Sequence, residues 1–236
     1  MKDANARAMN GDHSSTAPGL GSDHDIDRSA TIDRRWMAGV KQLRRNHAIA
    51  DADWDLVYPA KYIELSLLHW SPVAVARRAA ELLSRGAETR VLDVGAGVGK
   101  FCVIAAVTTP GLFVGVERCG DMVDIARATA HRARTSRTRF IHARADDIDW
   151  TNFNGFYLFN PFAQVRWPDL RMSGPSVPEP AEYQRLVAYT QASLAASRPG
   201  TRIVTYFGFG GEMPKCLRQT LKQPYGNDFI ECWERE

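Results

Sequence analysis

Three glycines, at positions 95, 97 and 99, constrain what this chain can fold into more than any other feature. Residues 91–94 read as a buried strand that ends at the first of them, and residues 101–107 are compatible with a helix. Because glycine has no Cβ, such a turn lets a ligand approach the main chain closely. We therefore expect a strand, a glycine turn and a helix, with a ligand at the carboxyl end of the strand.

The spacing of the glycines distinguishes between nucleotide-binding turns. A phosphate-binding loop requires Gly-x-x-x-x-Gly-Lys-Ser/Thr, but Val94 stands at the first position and Phe101 at the last. The dinucleotide-binding pattern Gly-x-Gly-x-x-Gly would place its third glycine at position 100, which is a lysine. The phosphate loop is therefore excluded, and a nicotinamide-dependent oxidoreductase is left as the weaker alternative.

Acidic residues follow the next two predicted strands. An apolar strand over 112–117 ends in Glu117, about 20 residues past the glycine turn, where a carboxylate can bind two ribose hydroxyls. A second strand over 138–143 is followed by Asp146 and Asp147. Since the carboxyl ends of parallel strands share one edge of the sheet, these side chains are expected near the glycine turn.

A third strand, aromatic and placed over 156–161, breaks at Asn160 and Pro161, because proline cannot continue the hydrogen-bonded ladder. Together with the pattern at 93–99, these segments resemble the class I S-adenosylmethionine (SAM)-dependent methyltransferases, from about Trp70 to the C-terminus. The resemblance implies an α/β fold, with a doubly wound, Rossmann-like, mostly parallel sheet and helices on both faces. It also implies SAM as the cofactor and methyl transfer as the reaction.

The resemblance assigns roles to individual residues. The glycine turn would lie against the methionine part of SAM, and Asp93 would orient its amino group. Glu117 would bind the ribose, and Asp146, or alternatively Asp147, would accept from the adenine amino group. The implied cofactor-binding residues are Asp93, Gly95, Ala96, Gly97, Gly99, Glu117, Arg118, Asp146, Asp147 and Asn160.

The segment from Asn160 to Phe162 resembles the Asn-Pro-Pro-Tyr/Phe motif of amino-group methyltransferases, which makes Asn160 the candidate catalytic residue. One proline stands here instead of two, so an asparagine that only closes a turn beside the cofactor remains an alternative. Aromatic walls stabilise developing positive charge, and the candidate acceptor-binding residues are Tyr58, Trp70, Pro161 and Phe162. His69 is a candidate general base for an oxygen acceptor.

Composition limits the class of protein and its partners. The 236 residues suit one domain with an extension, and a net charge of +3 is too small to indicate a nucleic-acid-binding surface. The four cysteines show no metal-binding spacing, and neither a membrane span nor a secretion signal is visible. We expect a cytoplasmic protein without a metal, acting on a small molecule or a protein. A weaker likeness to the Dot-type lysine methyltransferases adds protein amino groups as acceptors.

The chain divides into three predicted parts: a disordered tail over 1–30, a helical extension over 31–69 and a methyltransferase domain over 70–236. The tail has almost no large apolar side chains to offset the entropy of ordering. In the extension, Trp36, Val40 and Leu43 form one apolar helical stripe. The domain would begin with a helix that has Ser71 as N-cap and Pro72 at its first position.

Alternating helices and strands complete the predicted domain. We place helices at 121–134 and 180–197, a strand at 201–207 and a proline-rich loop or lid at 167–180. A short helix over 213–222 and one last strand over 229–234 predict an abbreviated edge of the sheet. That abbreviation leaves open a protein that binds SAM without turnover.

Overall fold

A computed structural model describes residues 23–166 and 180–236 of the chain, so that most of the predicted tail and residues 167–179 of the predicted lid lie outside it. The helices are α1 (Asp23–Arg44), α2 (Asp51–Asp55), α3 (Ala60–Ile63), α4 (Ser66–His69), α5 (Val73–Leu83), α6 (Lys100–Thr108), α7 (Gly120–Arg132), α8 (Ala163–Arg166) and α9 (Pro180–Ala195). The strands are β1 (Arg90–Val94), β2 (Leu112–Glu117), β3 (Thr138–His142), β4 (Gly155–Phe159), β5 (Arg202–Tyr206), β6 (Leu217–Tyr225) and β7 (Asp228–Arg235). Within these ranges no helix is long and apolar enough to cross a membrane.

All seven strands form one sheet, in the order β3-β2-β1-β4-β5-β7-β6. The first five strands run parallel to one another, whereas β7 pairs antiparallel with both β5 and β6. Chain order reverses on either side of β1, and open sheets of this kind bind ligands at the carboxyl ends of the strands beside such a reversal. The predicted doubly wound, mostly parallel fold is confirmed.

Helices cover both faces of the sheet, which is why its central strands are apolar throughout. On one face, Val91 and Phe113 pack in a core that includes α5 and α6. On the other face, Leu92 and Val94 share a core with side chains of α9. Because side chains alternate along a strand, Asp93 faces the α6 side.

The N-terminal helices pack onto the α6 face of the domain. Trp36, Val40 and Leu43 are fully buried, as the apolar stripe predicts. Helix α1 begins at Asp23 rather than near Thr31, so it extends into the segment predicted to be disordered. The extension therefore shares the core of the domain.

The start of α5 differs from its prediction. The helix begins at Val73, with Pro72 rather than Ser71 at the N-cap position. The Ser71 hydroxyl instead lies 2.5 Å from the Tyr157 hydroxyl. The Val73 N–H donates to Asp51 Oδ1 at 2.8 Å, so a carboxylate from α2 caps the helix.

The C-terminal edge of the sheet is complete, and the helix predicted over 213–222 is wrong. Strands β6 and β7 form an antiparallel hairpin, in which Tyr225 pairs with Asp228 across a two-residue turn. Gly226 in that turn has φ of 54°, which glycine adopts without strain. Pro224 is tolerated because β6 is an edge strand. Pairing with β7 thus overrides the local helical pattern.

A buried ammonium group joins the N-terminal helices to the glycine turn. Lys100, the first residue of α6, has a side chain that is 2% exposed, and its Nζ lies 2.7 Å from Asp51 Oδ1 and 2.9 Å from Asp55 Oδ1. The same Nζ donates to Ser66 Oγ at 3.2 Å. A helix dipole disfavours a cation at this end, and burial of the charge adds a further cost. The carboxylates of Asp51 and Asp55 offset both the unfavourable helix dipole and the cost of burial.

Replacing Lys100 by methionine should strongly destabilise the fold, because the Asp55 carboxylate would stay buried without its counter-ion. Removing one partner of such a pair costs about 3–5 kcal/mol in the free energy of unfolding. Arg35→Met is the matched control, since Arg35 pairs with Asp53 between α1 and α2 but is 67% exposed, and its loss should cost below about 1 kcal/mol. Urea unfolding measures both values, and equal small losses would contradict a structural role for Lys100.

Candidate cofactor-binding site

A cavity lies at the carboxyl ends of β1, β2, β3 and β4, beside the reversal of strand order. Its empty volume, including the solvent at its mouth, is about 1020 Å³. Pockets for small molecules and cofactors reach this size. Its lining includes residues predicted at the glycine turn, at the end of β2 and after β4.

The glycine turn forms the floor of the cavity. The N–H groups of Gly95 and Ala96 both donate to the Val116 carbonyl at 3.0 Å, which fastens the turn to β2. Gly95 and Gly97 line the cavity with φ of 75° and 54°. A Cβ on Gly97 would lie 2.7 Å from Trp70 Nε1, and one on Gly95 would lie 3.2 Å from Pro161. Neighbouring walls therefore approach the backbone of the turn directly.

Two of the predicted turn residues lie outside the lining. Gly99 packs against Ala126 and Phe140 in the core. Ala96 is buried, and its Cβ lies where it would contact a side chain on Gly115 of β2. Both residues pack against the core and do not line the cavity.

Glu117 ends β2 and lines the cavity. Its Oε2 accepts the Gly97 N–H at 3.0 Å, and its Oε1 accepts the Cys119 N–H at 2.9 Å. Burial raises the pKa of Glu117 above its usual value, while these backbone donors act to lower it. The carboxylate is thus held rigidly at the glycine turn, and each oxygen retains a lone pair for a ligand. Arg118, the next predicted residue, also lines the cavity.

The wall after β3 is built differently from the prediction. Asp146 and Asp147 are not among the lining residues, whereas Arg144 and Ala145 are. Burial acts to raise the pKa of Asp146, but a hydrogen bond from Arg185 and the charge of Arg144 hold it below its usual value. Asp147 Oδ2 accepts the Arg144 N–H at 3.3 Å and closes the turn.

Arg144 itself pairs with Glu182 of α9 at 2.8 Å, and both residues line the cavity. Neither residue is among the predicted site residues. Glu182 follows the proline-rich segment, far from β3 in sequence, so no local pattern indicates that the two side chains meet.

The turn after β4 forms a third wall, in which Asn160, Pro161 and Phe162 all line the cavity. Asn160 has φ of 40°, a left-handed conformation that asparagine tolerates better than most residues. Its N–H donates to the Gly208 carbonyl at 2.9 Å, and its carbonyl accepts the Ala163 N–H at 3.1 Å. These bonds fix the position of the turn.

The fourth wall consists of His69, at the end of the N-terminal extension, and Trp70, the next residue. Burial lowers the pKa of His69 below its usual value, so the imidazole is neutral near pH 7. Tyr58 lies behind this wall rather than in it. Its ring centroid is 5.5 Å from that of Trp70, and its hydroxyl accepts from Trp54 Nε1 at 2.9 Å.

Asp93 also lies behind the lining, between β1 and α6. It is 4% exposed, and Cys102 Sγ donates to its Oδ2 at 3.4 Å. Burial raises the pKa of Asp93 to about 7. Any effect on a ligand amino group would therefore be exerted from beneath the turn.

The raised pKa of Asp93 predicts a dependence of stability on pH. Between the usual value of 3.8 and about 7, the unfolded chain ionises Asp93 while the folded chain keeps it protonated, so stability falls as pH rises through this window. Asp93→Asn removes that contribution. Relative to this variant, the wild type should lose about 2–3 kcal/mol between about pH 5 and about pH 7.5.

Urea unfolding at both pH values measures the difference. Asp124→Asn is the control, since the side chain of Asp124 is 76% exposed and its removal should leave the pH dependence unchanged. A parallel pH dependence for wild type and Asp93→Asn would contradict the assignment.

Known methyltransferases resemble this chain in sequence over residues 86–179 and in fold. Residues 86–179 match the profile of a family described as "Methyltransferase domain". No curated protein matches the chain. An RNA methyltransferase from Salinibacter ruber, solved with S-adenosyl-L-homocysteine, has a similar fold at 20% identity and a TM-score of 0.50, covering 70% of this chain and 92% of its own. TrmN from Thermus thermophilus is similar at 16% identity and a TM-score of 0.53, covering 73% of this chain and 52% of its own.

The family match spans β1 to β4 and includes the glycine turn, Glu117 and the segment from Asn160 to Phe162. It favours methyl transfer over the nicotinamide-dependent alternative, and the sheet order agrees with it. The glycine turn and the Glu117 carboxylate lie together in a cavity large enough for a nucleoside cofactor. This arrangement fits SAM. Residues 86–179 therefore match a methyltransferase domain, the seven-stranded sheet that contains them has the order of the class I SAM-dependent fold, and the methyl acceptor is unidentified.

Proposed function

We propose that SAM lies across the carboxyl ends of β3, β2 and β1, with its adenine toward β3 and its methionine part over Gly95 and Gly97. The observation that carries this arrangement is the Glu117 carboxylate, which lines the cavity while it accepts the Gly97 N–H at 3.0 Å. Two adjacent ribose hydroxyls can donate to the lone pairs that remain on its oxygens. The ribose therefore fits at the end of β2.

Apolar side chains support an adenine at the β3 end. Val116 at the end of β2 and Leu186 of α9 are buried and line the cavity. Moving the flat faces of adenine from water to such apolar surroundings costs little free energy. We assign the polar contacts of the base to the backbone near Ala145, because the Asp146 carboxylate is already bound by Arg144 and Arg185.

When bound, SAM supplies a methyl group that its sulfonium makes electrophilic. The task of the protein is to hold donor and acceptor in line, at roughly 3–3.5 Å. In our proposal the Asn160 side-chain oxygen accepts an N–H of the acceptor and turns its lone pair toward the methyl carbon. For an oxygen acceptor, the neutral His69 imidazole can take the proton instead.

The acceptor in our proposal is a small molecule or a protein side chain that enters beside the turn at Asn160, Pro161 and Phe162. The small net charge of +3 supports this choice over nucleic acid. The relative described as an RNA methyltransferase shares the fold only. We further propose that the protein works in the cytoplasm, because Cys102 and Cys232 are buried as free thiols.

Glu117→Gln should weaken the binding of SAM and of S-adenosylhomocysteine about tenfold or more, because a hydrogen bond to a charged group is worth about 1.5–3 kcal/mol. Isothermal titration calorimetry with S-adenosylhomocysteine measures the change. Glu231→Gln is the control, since Glu231 pairs with Lys222 on the distant hairpin. Unchanged affinity in Glu117→Gln would remove the ribose assignment.

Asn160→Ala should separate binding from turnover. We expect the dissociation constant for S-adenosylhomocysteine to stay within about twofold, while methyl transfer falls about tenfold or more, as for the loss of one hydrogen bond at the reacting group. The assay is transfer from methyl-labelled SAM to acceptors in a cell extract. Asn152→Ala, in the turn before β4, is the control. Labelling at the wild-type rate would contradict a direct role, and digestion of the product with nuclease or protease identifies its class.

A further inference from the structure

Trp70 carries a buried hydrogen-bond donor that nothing in the described part of the chain satisfies. The residue is 5% exposed, and its Nε1 has no acceptor among the described residues. An unsatisfied buried donor of this kind costs about 1–3 kcal/mol, so its presence calls for an explanation. Trp36 and Trp233 share this feature, but only Trp70 lines the cofactor cavity.

The unsatisfied N–H lies at the glycine turn. A Cβ on Gly97 would be 2.7 Å from Trp70 Nε1, so the indole nitrogen is directly adjacent to the Gly97 backbone. The Gly97 N–H already donates to Glu117. In the order of the sheet, Glu117 ends β2 and the glycine turn follows β1, one strand farther from β3. With the ribose at Glu117 and adenine toward β3, Trp70 adjoins the methionine part of SAM.

The methionine carboxylate is the strongest hydrogen-bond acceptor in that part of SAM, and few donors are available to it. Of the arginines that line the cavity, Arg144 is engaged by Glu182 and Asp146, and Arg118 lies 3.9 Å from Glu182 at the β2 end. Burial lowers the pKa of His69, the other donor near Trp70, so that it carries little charge near pH 7. The indole N–H is therefore a fixed side-chain donor on this side, beside the single N–H of the neutral His69 imidazole.

We propose that Trp70 belongs to the cofactor site rather than to the acceptor site, and that its indole N–H donates to the methionine carboxylate of SAM. This inference rests on the proposed placement of SAM with its ribose at Glu117. It makes the segment that joins the N-terminal extension to α5 part of the cofactor site. The acceptor-binding role predicted for Trp70 from its sequence position is replaced by this one.

The fold holds the indole in place for this role. Tyr58 and Tyr62 pack against the Trp70 ring at centroid distances of 5.5 Å and 6.1 Å. Helix α4 ends one residue before Trp70 and is tied through Ser66 to Lys100, which directly follows the glycine turn. One buried cluster of charges therefore positions both the turn and the donor that faces it.

A cycle of two ligands and two variants tests the proposal. The ligands are S-adenosylhomocysteine and its decarboxylated analogue, 5′-deoxy-5′-(3-aminopropylthio)adenosine, which lacks only the carboxylate. Isothermal titration calorimetry gives the preference of wild type, Trp70→Phe and Trp36→Phe for the first ligand over the second. Trp36→Phe is the matched control, because it removes an equally buried, unsatisfied indole from α1.

We expect Trp70→Phe to lower the preference for S-adenosylhomocysteine about tenfold or more, the loss of one charge-assisted hydrogen bond, while affinity for the analogue stays within about threefold. Trp36→Phe should keep the wild-type preference. Equal weakening of both ligands, or no weakening of either, would overturn the proposal. Failure of the wild type to bind S-adenosylhomocysteine would instead overturn the cofactor placement on which it rests.

A measurement on the wild type covers the case in which Trp70→Phe does not fold. The indole N–H resonance of Trp70, assigned by ¹⁵N-tryptophan labelling, should move downfield when S-adenosylhomocysteine binds and should not do so with the decarboxylated analogue. The same downfield movement with both ligands would contradict a bond to the carboxylate.

Discussion

The close approach of three walls to the glycine turn determines the rest of the site. Trp70 lies over Gly97, Pro161 lies against Gly95, and the Glu117 carboxylate accepts the Gly97 N–H. Side chains on these glycines would push the walls apart. Each wall comes from a different part of the chain, so the turn brings together the N-terminal extension, the end of β2 and the turn after β4. These segments can come together at the cofactor site because Gly95 and Gly97 have no side chains to keep them apart.

The buried Lys100 cluster extends this arrangement to the N-terminal helices. Asp51 has two roles, because its Oδ1 accepts from Lys100 Nζ and also from the Val73 N–H at the start of α5. A buried cation with two anionic partners costs more to disrupt than a surface pair. The extension is therefore held to the domain by a specific interaction in addition to its apolar stripe, and this rigidity is what keeps Trp70 at the turn.

Local patterns in the sequence predict the fold well, and they predict less about side-chain contacts. The glycine turn, the strand ending in Glu117 and the break at Asn160 and Pro161 each depend on neighbouring residues, and all three lie at the cavity. Pairings over long distances in sequence escape such patterns. Asp146 pairs with Arg144 and Arg185 and does not line the cavity, and pairing with β7 makes a strand of residues predicted to be helical. The partners of Lys100 lie in helices that precede it by 34 to 49 residues.

A crystal structure with S-adenosylhomocysteine is the most direct test of the central claim, that the glycine turn and Glu117 hold the cofactor. We predict electron density with both ribose hydroxyls within hydrogen-bonding distance, about 2.5–3.0 Å, of the Glu117 carboxylate, and with the homocysteine part over Gly95 and Gly97. Density for the ribose at any other place in the cavity, or a cavity that stays empty at saturating ligand, would contradict the account.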